Sequence, residues 1–192
     1  MADLHTNILI LHTPRTGSAL LCECMTQAGV FGKVNGFWTR TNPQEKKDFV
    51  SESRRWINNH QHNGVYATRA ALNFFDLVTP QAGAAAVDNF MKQFTHYIVL
   101  QRKDKVAQAV SYYVALSSQE WTSTATNIKP YPPYNYWQIL WLMSFSIGSE
   151  TRAQLFAEGT GRPVLHLWYE DIIQNLTGTV QEIADFSGLP LG

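Results

Sequence analysis

Cysteine is almost missing from this sequence. Cys22 and Cys24 are the only two in 192 residues, and residues two apart on a helix do not face one another. They are not expected to form a disulfide, and two thiols alone do not make a structural zinc site. The expectation is one packed and one exposed thiol in a reducing compartment. Excess charge is missing as well: 15 Lys and Arg balance 15 Asp and Glu. That balance argues against a long-range field for capturing duplex nucleic acid or an anionic membrane, so any anion site is local. Long apolar runs are also lacking. The run Ile8 to Leu11 is too short for a signal or membrane helix, and Met1-Ala2-Asp3-Leu4-His5 has no positive n-region. A cytoplasmic protein without a transmembrane segment or a nucleic-acid partner is expected. Internal repeats and low-complexity tracts are absent too. What is present is an ordinary globular composition, 45% hydrophobic and 16% charged. The length fits a single domain over residues 1–192 that buries roughly 70% of the unfolded chain's surface.

Short apolar blocks alternate with helical patterns. Ile8 to Leu11, Val65 to Thr68, Tyr97 to Leu100 and Val164 to Leu167 read as buried strands. Helices are expected over Ser18 to Ala28 with Gly29 as C-cap, and from Asn42-Pro43-Gln44-Glu45 to about Gln61. Further helices are expected from Thr79-Pro80 to about Phe94, Val106 to Leu116 and Asn135 to Ala157, and one or two helical segments over Ile172 to Phe186. In the helix from Asn135, the apolar positions Tyr136, Trp137, Leu140, Trp141, Met143 and Phe145 read as core. Ser117 to Pro133, proline-rich with Trp121 and Tyr131 within it, reads as a long loop of the kind that often carries function. The alternation implies a three-layer α/β fold: a central, mainly parallel sheet flanked by helices and joined by right-handed crossovers. Ligands in such folds bind beyond the carboxyl ends of the strands.

The loop after the first strand, Thr13-Pro14-Arg15-Thr16-Gly17-Ser18-Ala19, opens the first helix. Free amides at a helix N-terminus attract an anion, Gly17 lets the backbone approach closely, and Arg15 offers a planar charged fork. The plainer role of the same residues is a helix cap by Thr16 or Ser18. No lysine follows Gly17, so the loop lacks the group that reaches the terminal phosphates of a nucleoside triphosphate. A small-molecule kinase is therefore the weakest functional reading. A less charged ligand such as a phosphosulfate suits the loop better.

The string Pro14-Arg15-Thr16-Gly17-Ser18-Ala19-Leu20-Leu21-Cys22-Glu23, with Ala28-Gly29-Val30-Phe31-Gly32 after it, resembles the opening of certain sulfotransferases. These use 3′-phosphoadenosine 5′-phosphosulfate (PAPS), and the similarity is to the bacterial trehalose 2-sulfotransferase type. Arg102-Lys103-Asp104-Lys105-Val106-Ala107-Gln108-Ala109-Val110-Ser111-Tyr112 is similar to that family's R-x-D-x-V-x-Q-A-V-S-aromatic stretch. Gly64 to Arg69 parallels a Gly-Val-aromatic-x-x-Lys segment, and Tyr169-Glu170-Asp171 resembles the Tyr-Glu-Asp of sulfotransferases generally. The resemblance implies a P-loop-type fold with PAPS as co-substrate and no metal. It implies that Arg15, Thr16, Gly17, Ser18 and Ala19 bind the 5′-phosphosulfate, that Arg102 and Ser111 hold the 3′-phosphate, and that Tyr169 lies near the adenine. Arg69 stands where the family has lysine, and with Arg15 it is the candidate for neutralising charge in transfer. The acceptor implied is a carbohydrate or small alcohol, with Phe37, Trp38 and Trp121 as candidates for its platform; a homodimer is the family analogy.

The sequence departs from the family at two places. The family's general base is a glutamate in G-x-x-G-x-x-x-E, and Gly36 occupies that position in Gly29-Val30-Phe31-Gly32-Lys33-Val34-Asn35-Gly36. Loss of a general base typically costs on the order of 10²- to 10⁴-fold in rate. Glu45 and His12 are the alternatives, but a capping box explains Glu45 and packing at the strand end explains His12. The chain also stops at Gly192, before the arginine-containing segment that usually closes over the 3′-phosphate, so that segment is expected to be missing. A sulfotransferase, and a nucleotide-binding or interaction module on the same fold, both remain open at this point.

Overall fold

The computed structural model describes residues 6–36, 49–121 and 131–191. At its centre lies β1 (Thr6–His12), buried along all but its last residue. A strand covered on both faces needs apolar side chains on both, which is why this segment reads as a continuous rather than an alternating run. Leu9 and Leu11 point into one core with Tyr66, Phe75, Phe90 and Val99, whereas Ile8 and Ile10 point into another with Leu21, Met25, Ile98 and Ile183.

Among the described residues, five parallel strands make the sheet in the order β2-β3-β1-β4-β5. These are β2 (Asn35–Gly36), β3 (Val65–Ala70), β4 (His96–Gln101) and β5 (Val164–Trp168) around the central β1. The chain leaves β1 toward β3 on one side and later returns to β4 on the other. The order therefore reverses at β1, and a crevice opens beyond its carboxyl end. One layer holds α1 (Ser18–Gln27), α7 (Tyr169–Ile172) and α8 (Leu176–Phe186). The opposite layer holds α2 (Phe49–His60), α3 (Leu72–Ala82), α4 (Ala84–Met91) and α6 (Tyr136–Gly159). A smaller core of Ala109, Tyr113 and Leu142 joins α5 (Lys105–Ser118) to α6. Among the described residues no helix is long and apolar enough to cross a membrane.

The structure corrects several expectations. Pro80 does not start a helix; it sits in the last turn of α3, where only one intrahelical bond is lost, and the break falls at Gly83 with φ of +85°. The two-residue β2 carries no apolar pattern and was not foreseen. The Asn42 to Glu45 cap lies outside the described residues, and the described helix runs from Phe49. The largest revision concerns α6. It starts about where expected, with Asn135 as the cap, its Oδ1 accepting from the amide of Gln138 at 3.1 Å. Its buried stripe, however, is Leu142, Ser146, Glu150, Ala153 and Ala157. Small residues let the helix lie close to its neighbours, which turns Trp137 and Trp141 outward at 75% and 62% exposure. One thiol is packed, as expected, that of Cys22; Cys24 is half-buried rather than exposed.

Candidate functional site

The loop between β1 and α1 contains two left-handed residues, Arg15 at φ +68° and Gly17 at φ +75°. Backbone turned this way presents successive amides to one point, a concavity suited to an anion. Gly17 is the N-cap of α1, and no side chain caps the helix. Thr16 Oγ1 instead donates back to the Thr13 carbonyl at 2.9 Å, and Ser18 Oγ accepts from Arg69 Nη1 at 2.6 Å. The plain capping role for Thr16 and Ser18 is thereby removed, and the first amides of α1, Ala19 among them, keep their donors for another partner. Glycine at 17 is required twice over. Besides its positive φ, a Cβ there would lie 2.5 Å from Cδ2 of Tyr169.

Three arginines meet around this loop. Arg15 Nε donates to Ser111 Oγ at 2.9 Å, and its Nη1 donates to the Trp121 carbonyl at 2.7 Å. Arg102, following β4, donates to the Arg15 carbonyl at 3.2 Å and lies 4.7 Å above the ring of Tyr169. Arg69, near the end of β3, reaches Ser18 and stands in register with Gly36 of β2. Burial, and then the charge of Arg102, lower the pKa of Arg15, although such a guanidinium keeps its proton. The nearest carboxylate to Arg102 is Glu170, 3.8 Å from Nε and already accepting from the amides of Lys103 at 2.9 Å and Asp104 at 3.0 Å. Burial alone raises the Glu170 carboxyl, but those amides and Arg102 outweigh it and hold the group below its usual range. The Nε atoms of Arg69 and Arg102 are buried without a hydrogen-bond partner. Buried donors on fixed cations are costly unless something accepts from them. The site fits an anion with more than one charged group.

A polar scaffold that the sequence reading did not find holds the loop from below. Glu150, only 3% exposed, accepts from Thr13 Oγ1 at 3.0 Å and pairs with Lys105. Gln108 Nε2 donates to Thr13 Oγ1 at 2.8 Å and to the Pro14 carbonyl at 3.0 Å. One signal for Glu150 was available. It falls four residues after Ser146 and eight after Leu142, on the stripe that α6 buries.

The remaining predicted residues fall as follows. Tyr169 packs on Gly17 beneath Arg102, at the rim of the loop. Asp104 caps α5, accepting from the Ala107 amide at 2.8 Å, while Ser111 faces Arg15. His12 is half-buried with Nδ1 3.1 Å from the Thr13 carbonyl; burial and then Arg69 lower its pKa to about 4, so the ring is neutral near pH 7. Trp121 meets Tyr112 edge to face at 6.0 Å. Phe37, Trp38 and Glu45 lie outside the described residues.

Comparison with known proteins adds three findings. The family model for Stf0 sulphotransferase matches residues 60–189. The fold is similar to that of mouse sulfotransferase SULT7A1, solved in complex with PAP: 15% identity, TM-score 0.60, covering 98% of this chain and 61% of the mouse chain. It is also similar to a sulfotransferase from Alicyclobacillus acidocaldarius: 14% identity, TM-score 0.56, covering 97% of this chain and 82% of that one. No curated protein matches. This chain thus spans about three fifths of the mouse structure, and the family match begins after the Arg15 loop.

Proposed function

The chain belongs to the Stf0 sulphotransferase family, and from that premise we propose that it moves a sulfuryl group from PAPS to a hydroxyl of a carbohydrate or other small alcohol. The observation that carries this reading is the convergence of Arg15, Arg69 and Arg102 on one uncapped helix start, where the buried Nε atoms of Arg69 and Arg102 make no hydrogen bond and Glu170 approaches the latter only to 3.8 Å. Bound there, PAPS supplies an activated sulfuryl group and a phosphate that departs with negative charge. The amides of Ser18 and Ala19 and the Arg15 fork hold the 5′ end and stabilise that charge as it develops. Arg102 and Ser111 hold the 3′-phosphate, and Tyr169 sits beside the nucleotide. Arg69 neutralises the leaving phosphate but cannot donate a proton to it, because its pKa is too high.

Acid-base chemistry is where this chain differs from the family pattern. Gly36 places no side chain beside Arg69, and among the described residues no carboxylate is ion-paired to that arginine. This supports a second reading, a module that binds the nucleotide with little or no transfer. The test is thermal melting with PAP, the desulfated product. A ligand at 100 times its Kd stabilises by about 2.7 kcal/mol, so PAP raises Tm, and Arg15→Ala and Arg102→Ala each abolish the rise. No shift at millimolar PAP overturns both readings. A shift without transfer to a panel of sugars and alcohols selects the second.

A further inference from the structure

His12 closes β1 with a ring nitrogen, Nε2, that has no hydrogen-bond partner among the described residues. Side chains alternate along a strand, and residues in register on neighbouring parallel strands point to the same face. His12 therefore shares the face of Ile8 and Ile10, toward α1. Arg69 pairs with Ile10 and Gly36 pairs with Arg69, so both share that face too, and Arg69 reaches Ser18 at the start of α1. Strands lie ~4.8 Å apart, which sets Gly36 and His12 roughly 10 Å apart across the sheet with Arg69 between them.

The orientation of the ring fixes its tautomer. Nδ1 lies 3.1 Å from the Thr13 carbonyl, which only accepts, so in the neutral ring the hydrogen sits on Nδ1 and the lone pair on Nε2. Packing at the strand end accounts for Nδ1 but leaves Nε2 without a role. Burial and then Arg69 hold the pKa at about 4, close to the ordinary glutamate value of about 4.3. The ring is thus unprotonated near pH 7 and about as basic as the carboxylate that Gly36 lacks. Other described groups around the loop are committed elsewhere. Glu150 is buried against Lys105 and Thr13, Glu170 accepts from two backbone amides, and burial raises the Cys22 thiol to about 12, so it keeps its proton.

We propose that His12 is the general base of this chain, its Nε2 taking the proton of the acceptor hydroxyl in place of the glutamate that the family carries where Gly36 stands. This inference rests on the sulfuryl-transfer reading and adds to it a catalytic residue. The hydroxyl oxygen bonds to sulfur as the bond from sulfur to the 5′-phosphate oxygen breaks, and that phosphate oxygen keeps the electron pair, its charge met by Arg15 and Arg69. The proton passes to Nε2 and then to water. Arg69 disfavours the imidazolium, and the bound anion offsets that effect. His12 has no part in holding the nucleotide, so binding and transfer separate.

The experiment follows PAP release from PAPS by the full chain, with water, methyl α-D-glucopyranoside and 1-propanol as acceptors. His12→Asn keeps a side-chain N–H in the place of Nδ1 but offers no base. It is expected to bind PAP within about twofold of wild type and to release PAP on the order of 10²- to 10⁴-fold more slowly. Added imidazole restores part of the rate to His12→Ala, which a purely structural role of the ring would not allow. A measurement independent of turnover is nitrogen NMR of the isotope-labelled histidines with PAP bound: the resonances that vanish in His12→Asn show hydrogen on Nδ1 and none on Nε2. Unchanged PAP release in His12→Asn overturns the proposal, as does hydrogen on Nε2, or a loss of rate in Glu45→Gln in place of His12→Asn. A wild type that binds PAP but releases none from PAPS with any of the three acceptors also overturns it, since that is the behaviour of a binding module. Failure to bind PAP at all counts instead against the function on which the proposal rests.

Discussion

Arg15 and Ser111 are 96 positions apart, yet the guanidinium Nε donates to the hydroxyl at 2.9 Å. One comes from the loop after the central strand and the other from the second turn of α5, so the bond ties the Arg15 loop to that helix. Ser111→Ala removes that tie and one hydroxyl donor. Hydrogen bonds involving a charged group contribute about 1.5–3 kcal/mol. Titration calorimetry is expected to show PAP affinity reduced by at least tenfold.

Gly17→Ala combines a left-handed φ of +75° with a Cβ 2.5 Å from the Tyr169 ring. The backbone cost alone is about 1–3 kcal/mol, and the ring must move from its place under Arg102. Chemical denaturation is expected to show a loss of that size together with loss of PAP binding. Tyr169→Ala in the same chain relieves the collision, recovering part of the stability but not the binding.

Glu150 is a buried carboxylate held by Lys105 and Thr13. Glu150→Leu leaves Lys105 unpaired and partly buried, and breaking such a pair costs about 3–5 kcal/mol. Adding Lys105→Met removes the orphaned charge, so the double variant is more stable than Glu150→Leu in urea unfolding. PAP affinity stays low in both, because Thr13 keeps only Gln108 of its two side-chain partners.

His12 gives a pH dependence with a definite sign. Its folded pKa of about 4 lies below the ordinary 6.5, so between those values the unfolded chain binds the extra proton. The stability that its neutral ring contributes is complete above pH 6.5 and is lost as pH falls toward 4. Urea unfolding at pH 7 and pH 4.5 is expected to show a smaller drop for His12→Gln than for wild type.

Much of this was legible in the sequence because the relevant signals are local. Apolar blocks followed by helical periodicity gave four strands and the α1 and α5 starts, and the Arg15 and Arg102 segments are contiguous strings. What stayed hidden depends on tertiary packing. Nothing in the order of residues says that Arg15 meets Ser111, that Glu150 props Thr13, or that a two-residue edge strand sets Gly36 opposite Arg69. Periodicity on α6 misled for a related reason. Its most hydrophobic side chains are not its buried ones, since close helix packing favours Ser146, Ala153 and Ala157 over Trp137 and Trp141.

The central claim, a nucleotide site that reads the 3′-phosphate through Arg102 and Ser111, is tested most directly by calorimetric titration with PAP and with adenosine 5′-monophosphate, which lacks that phosphate. Wild type is expected to bind PAP at least tenfold more tightly, and Arg102→Ala to bind the two nucleotides alike. Equal affinities in wild type, or an undiminished preference for PAP in Arg102→Ala, contradict the account.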